Sequence, residues 1–264
     1  MADIELTWPE PGIALLTLNR PAALNALTDE TAAELHAQLS ALADDPNLRV
    51  LILTGAGRAF CAGFDLGQAV KAPMEDELGA AMAWTARQER FAGLLTRLRA
   101  LRAPAIAAVN GLANGGGLAL ALGCEIRYAA ASARFNAAFV KVGMTGCDMG
   151  VSWLLPRAVG LSRSFEILLT GRMVDAQEAD RIGLVTATVA DDQLMPRALE
   201  TARAIASSEA LGVWLTKRGG WANAEAPSLA QAIELENRSQ ILAQSTGSLQ
   251  RAAQAFMTRK RSSA

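Results

Sequence analysis

Three consecutive glycines, Gly115-Gly116-Gly117, lead without interruption into Leu118-Ala119-Leu120-Ala121-Leu122. A helix launched from such a turn brings backbone rather than side chains to whatever lies there, because glycine lacks a Cβ and the first N–H groups of a helix have no internal partner. The same end of the helix carries positive potential. A second small-residue turn, Arg58-Ala59-Phe60-Cys61-Ala62-Gly63-Phe64-Asp65-Leu66, stands earlier in the chain. Together the two stretches read as the halves of an oxyanion hole, the arrangement that holds an enolate. Losing one donor of such a site costs about 3–4 kcal/mol of transition-state stabilisation, which is reason enough to devote two turns to one oxygen atom. The other reading of the glycine run is an ordinary tight strand-to-helix turn, against which the matched partner turn argues.

The surrounding pattern is α/β. Ile13–Leu18 and Val50–Thr54 are short apolar runs, and between them a helix is predicted from about Thr28 to Ala43. Thr28 is placed to cap it, Asp29 and Glu30 fill its first turn, and Leu35, Leu39 and Leu42 share one face. A second helix is predicted from about Gly79 to Arg102, ended by Pro104 before a strand from Ala105 to Val109. Strands are also expected at Glu125–Ala129 and Arg134–Asn136, and a helix beyond Gly150. Past residue 200 the alternation gives way to helices, with Leu229, Ile233 and Leu235 in one and Ala252, Ala253 and Phe256 in the next. We therefore expect a core over residues 1–200 and a helical region over 201–264.

Composition narrows the partners. Half of the 264 residues are apolar, ample for a buried core, and the net charge of −1 offers neither a nucleic-acid surface nor a polybasic membrane anchor. The first residues lack the basic and apolar regions of a signal peptide, and no apolar span approaches about 18 residues, so a cytoplasmic location is expected. Cys61, Cys124 and Cys147 cannot all pair and have no metal-like spacing, and the single histidine, His36, argues against a zinc site or a histidine-based triad.

Four segments resemble the crotonase (enoyl-CoA hydratase/isomerase) superfamily in order and spacing. They are Leu18-Asn19-Arg20-Pro21 with Asn25-Ala26-Leu27, Ala59-Phe60-Cys61-Ala62-Gly63, Pro104–Gly111, and the triple glycine. Leu154-Leu155-Pro156-Arg157 and the C-terminal Phe256–Arg261 continue the likeness. The resemblance implies a ββα superhelical core and a C-terminal helical oligomerisation region that builds homotrimers or dimers of trimers. It implies an acyl-CoA substrate, with coenzyme A entering as part of the thioester and no separate cofactor or metal. It assigns the oxyanion donors to the backbone N–H groups of Phe64 and Gly116. Ala59 and Ala62 fall where the family cradles the adenine of CoA with backbone atoms, and Phe256 and Lys260 where a neighbouring subunit's C-terminus meets CoA; a solvated basic tail is the other reading of Arg259, Lys260 and Arg261.

The acid and base groups depart from the family's hydratases. Two glutamates activate water and deliver a proton in those enzymes. The matching positions here are Ala119 and Phe139, so the two-glutamate mechanism is excluded. Asp148, in Gly143–Gly150, resembles the aspartate of double-bond isomerases, with one extra residue in the turn; it is also a natural helix N-cap. Asp65 and Glu125 read as structural, His36 as a surface or core-edge residue, and the thiols of Cys61 and Cys147 lack a nearby histidine to activate them. By the same resemblance Trp84, Glu89 and Arg90 lie on the helix that lines the acyl pocket, and Asn114, Asn136 and Lys141 flank the expected site; any one could stand in for a lost glutamate, with plain packing the other reading of Trp84.

Three readings follow. The first is an enzyme working through a thioester enolate with Asp148 carrying the proton. The second is a hydratase with an unusual base, and the third an acyl-CoA binder without catalysis.

Overall fold

A computed structural model describes residues 2–262, apart from the side chains of residues 255 and 259–262. The chain opens with strands β1 (Ile4–Glu10) and β2 (Ile13–Leu18), followed by helix α1 (Asp29–Asp44). From there it repeats a strand-strand-helix unit. The first repeat is β3 (Val50–Gly55), β4 (Ala59–Cys61), the short α2 (Glu75–Leu78) and α3 (Ala80–Ala100). The second is β5 (Ala105–Val109), β6 (Leu112–Asn114) and α4 (Gly116–Gly123), and the third β7 (Ile126–Ala130), β8 (Arg134–Asn136) and α5 (Val151–Val159). Then come α6 (Leu161–Thr170), β9 (Met173–Asp175), α7 (Ala176–Arg181), β10 (Ala187–Val189) and α8 (Leu194–Ala206).

The first strand of each repeat joins a six-stranded sheet in the order β1-β2-β3-β5-β7-β10, and the second joins a four-stranded sheet in the order β4-β6-β8-β9. Within the large sheet only β1 is antiparallel; Ile52 of β3 lies between Leu15 of β2 and Ile106 of β5. Strands β3 and β5 are buried along their whole length, the mark of a parallel sheet covered on both faces. In the small sheet β4, β6 and β8 are parallel, so their C-terminal ends emerge on one side. Both candidate turns begin at those ends, the crevice position where open parallel sheets bind ligands.

Helix α1 forms as expected. Thr28 Oγ1 accepts the Thr31 N–H at 3.1 Å, and Leu35, Leu39 and Leu42 are buried. Helix α4 is buried on every side, consistent with its Leu/Ala sequence. The chain divides into two compact units, one through Ala204 and one from Ile205. The second holds α9 (Ala210–Asn223), α10 (Leu229–Gln244) and α11 (Ser248–Ser262). Ser228 caps α10 through the Gln231 N–H, and Leu229 and Ile233 are exposed. Among the described residues no helix is long and apolar enough to cross a membrane.

The start of α4 packs against the end of β4 at a distance that excludes a side chain. A Cβ on Gly117 would lie 2.1 Å from the Cys61 carbonyl oxygen, which is backbone and cannot swing away. Gly117→Ala is therefore expected to lose at least about 2 kcal/mol of stability. Thermal unfolding checks this: the variant should melt several degrees below the wild type, and coincident melting curves would contradict the close approach.

Candidate functional site

The two turns meet at Gly63. Its φ of +89° is left-handed, and a Cβ there would lie 2.7 Å from the Asn114 carbonyl and 3.3 Å from the Gly116 nitrogen. Only glycine meets both demands. The Phe64 peptide is oriented by an isolated parallel bridge to Leu27: the Leu27 N–H donates to the Gly63 carbonyl at 2.7 Å and the Asp65 N–H to the Leu27 carbonyl at 2.9 Å. In that pattern the residues flanking Phe64 make the bonds, and the N–H of Phe64 itself points to the other side. Gly116 is the first residue of α4, so its N–H has no acceptor within the helix. Neither N–H has a protein acceptor among the described residues.

Polar side chains buried behind the turns hold them. Asn25, itself left-handed and 1% exposed, donates to the carbonyls of Ala56 and Ala59 at 2.9 and 2.8 Å and accepts the Arg20 N–H at 2.9 Å. Asn114 donates to the Ala62 carbonyl at 3.1 Å, and the Ala62 N–H donates to the Leu24 carbonyl at 2.9 Å. Ala59 is buried within β4, and its carbonyl takes amides from Asn25 and Asn110. That corrects one expectation: Ala59 supports the turn from beneath and offers a ligand no surface, whereas Ala62 is partly exposed. Asp65 is structural, accepting the Gly67 N–H at 3.0 Å and pairing with Arg20 at 3.3 Å. Glu125 accepts the Ala105 N–H at 2.8 Å, and His36 Nε2 meets the Arg90 carbonyl at 2.8 Å, both structural contacts.

Asp148 is half-buried in the turn before α5 and does not cap it. The N-cap is Gly150, with φ +76° and no side-chain capping bond; Asp148 contributes only its carbonyl, to the Val151 N–H at 2.8 Å. Its carboxylate instead accepts from the Gln88 side-chain amide on α3. Burial pushes the acid upward, opposed in part by Gln88 and by the neighbouring Met149 amide dipole. The next residue, Met149, is buried with a left-handed φ of +43°, and its Sδ lies 3.3 Å from where a Cβ on Gly116 would stand. Asp148 is thus one residue from a side chain packed on the α4 glycine.

The positions matched to the hydratase glutamates hold no acid. Ala119 is fully buried in α4, and the Phe139 ring lies 3.5 Å from a Cβ position on Gly115. The Phe64 ring meets Phe91 edge-on at 5.4 Å, adding to an apolar surround. Among the other candidates, Lys141 lays its stem against Gly171, Arg90 pairs with Asp29 at 3.6 Å, and Glu89 is exposed. The Asn136 carbonyl accepts the Gly115 N–H at 2.8 Å. Trp84 stacks with Arg87, whose guanidinium carbon is 5.2 Å from the ring centroid. Arg87 and Gln88 escaped the sequence reading, since their partners lie far away along the chain. Phe256 is exposed on α11, and the Lys260 side chain lies outside the described residues.

Residues 9–263 match the family model for enoyl-CoA hydratase/isomerase. A probable enoyl-CoA hydratase of Mycobacterium tuberculosis is 42% identical over 233 residues, spanning 88% of this chain and 82% of its own. The 1,2-epoxyphenylacetyl-CoA isomerase of Escherichia coli is 38% identical over 261 residues, spanning 98% and 97%. Among solved structures, an enoyl-CoA hydratase of Mycobacterium smegmatis superposes with a TM-score of 0.90 at 28% identity over 98% of this chain and 97% of that one. A monofunctional enoyl-CoA isomerase from the same organism gives 0.75 at 42% identity, over 88% and 98%.

The thiols are spectators in this geometry. Cys61 is buried and pushed up to about 12 by burial, and its Sγ accepts the Gly63 N–H at 3.4 Å; Cys124 is buried and Cys147 exposed. Brief iodoacetamide treatment of the native protein followed by mass spectrometry is expected to alkylate Cys147 alone. Modification of Cys61 would show that the strand β4 turn opens in solution.

Proposed function

The chain belongs to the enoyl-CoA hydratase/isomerase family of the crotonase superfamily and is an enzyme of it, and from that premise we propose that it shifts a double bond in an acyl-CoA thioester through an enolate. What supports this reading is a half-buried carboxylate, Asp148, next in sequence to the side chain that packs on Gly116, together with Ala119 and Phe139 at the positions the resemblance matches to the hydratase glutamates. Asp148 takes a proton alpha or gamma to the thioester carbon, and the electron pair moves into the carbonyl oxygen. The N–H groups of Phe64 and Gly116 hold that oxyanion. The protonated Asp148 then returns its proton to another carbon of the conjugated system, so atoms and charge balance with no cofactor. Ala62 lines the CoA end in this reading. We also assign Phe256 and Lys260 to CoA contact in an assembly of three copies or a dimer of trimers, with residues 201–264 as the associating region; exposed Leu229 and Ile233 support that assignment. A hydratase outcome is the second reading, favoured by identity to a hydratase-named relative; it requires net addition of water.

Proton NMR of a panel of enoyl- and acyl-CoA thioesters in D2O separates these. Double-bond migration or deuterium uptake is expected with the wild type and should fall by about 100-fold or more in Asp148→Asn, with binding retained. Net hydration would favour the second reading, and binding without any exchange would sink the enolate proposal. The pH profile has a definite sign. The working form is the carboxylate, so the rate rises with pH through an apparent pKa that burial has lifted. Gln88 donates to the charged form, hence Gln88→Leu should move that rising limb to higher pH. An unmoved or lowered limb would remove Asp148 as the titrating base.

A further inference from the structure

Helix α3 carries a cation, Arg87, whose hydrogen-bonding capacity is spent inside the protein and whose guanidinium lies over a ring of the candidate oxyanion turn. Arg87 is 3% exposed. Its Nε and Nη2 clasp Asp29 at 3.2 and 2.5 Å, Nη1 donates to the carbonyls of Gln68 and Lys71 at 2.7 and 3.4 Å, and Nη2 also reaches Gln68 Oε1 at 3.2 Å. A guanidinium has five N–H donors, and five acceptors are accounted for, so none is left for a ligand. This excludes Arg87 as an anion receptor, although a cleft of about 360 Å³ opens beside it. What it does touch is the Phe64 ring, whose centroid is 4.6 Å from the guanidinium carbon. The carbonyls it holds belong to the stretch directly following Phe64 and Asp65. The next residue on the same helix, Gln88, donates to Asp148.

We propose that Arg87 is a positioning residue for the reaction: anchored on Asp29, it fixes the Phe64 peptide through the ring and through the carbonyls of Gln68 and Lys71. Helix α3, which grips Asp148 through Gln88, thereby sets the spacing between proton carrier and oxyanion donor. The inference rests on the reading of Phe64 and Asp148 given above. A lysine cannot reproduce the planar fork, so Arg87→Lys keeps the charge and loses the geometry.

Arg87→Met alone would leave the largely buried Asp29 carboxylate only its longer pairing with the more exposed Arg90, at 3.6 Å, and could unfold the chain. The paired change Asp29→Leu with Arg87→Met replaces both charges with apolar groups of similar size and is expected to keep the fold, as circular dichroism would verify. The test uses full-length protein labelled with 15N-phenylalanine, the Phe64 amide assigned with Phe64→Leu, and butyryl-CoA as the titrated thioester. In the wild type the Phe64 amide resonance should move on saturation. In the paired variant and in Arg87→Lys that movement should drop by about half or more, and kcat should fall about tenfold or more while KM stays within about threefold. A folded paired variant with wild-type amide movement and wild-type kcat would overturn the proposal and leave Arg87 as a clamp on the fold. A wild-type Phe64 amide that ignores butyryl-CoA would overturn the reading of Phe64 as a donor, and this inference with it.

Discussion

At Gly63 and Gly117 two backbones approach more closely than any side chain would allow, and the rest of the site is arranged around that contact. The Cys61 carbonyl sits where a Cβ of residue 117 would stand, and the Asn114 carbonyl where one of residue 63 would. The contact follows from topology: β4 and β6 are parallel neighbours, so the turns leaving them emerge side by side. It also explains why α4 is apolar throughout, since a helix drawn this far into the sheet has no solvent face. The N–H groups of Phe64 and Gly116 are left over from this packing, without acceptors of their own among the described residues.

The surround of those two groups is apolar apart from one guanidinium: Phe139 faces Gly115, Leu27 and Met149 face Gly116, and Phe91 and Arg87 meet the Phe64 ring. Electrostatic interactions gain strength where water is thin, and a carboxylate there binds its proton more tightly. Asp148, half-buried in the turn that ends at Met149, is pushed upward by burial, and the hydrogen bond from Gln88 opposes that shift. The left-handed Met149 is a backbone cost that neighbouring packing must offset, and such costs gather at functional sites.

How far the sequence was legible depended on the range of the deciding interaction. Helix α1 was readable because its cap, first-turn acids and leucine face all lie within its own residues. The long parallel strands were readable as apolar runs. Strands β4 and β6 were not, since pairing with one another rather than periodicity defines them and each lies inside a glycine-bearing turn segment; the equally short β8 was readable at Arg134–Asn136. The glycine turns could be read locally, since only close approach or positive φ makes such a run worthwhile. Ala59 is buried by its place in β4, with its carbonyl taken by the distant Asn25 and Asn110, and Gly150 rather than Asp148 occupies the N-cap of α5, neither of which is written locally in the sequence. Arg87 and Gln88 carried no local signal at all: Asp29 and Asp148 are 58 and 60 residues away.

Vibrational spectroscopy of a bound thioester reads polarisation of its carbonyl by the Phe64 and Gly116 N–H groups. Difference infrared or Raman spectra of a 13C=O-labelled enoyl-CoA bound to the protein should show the carbonyl stretch displaced to lower frequency than in water, since two donors in a water-poor site weaken the bond more than solvent does. A bound thioester whose carbonyl stretch stays at its aqueous frequency would show that these two N–H groups do not hold the carbonyl oxygen.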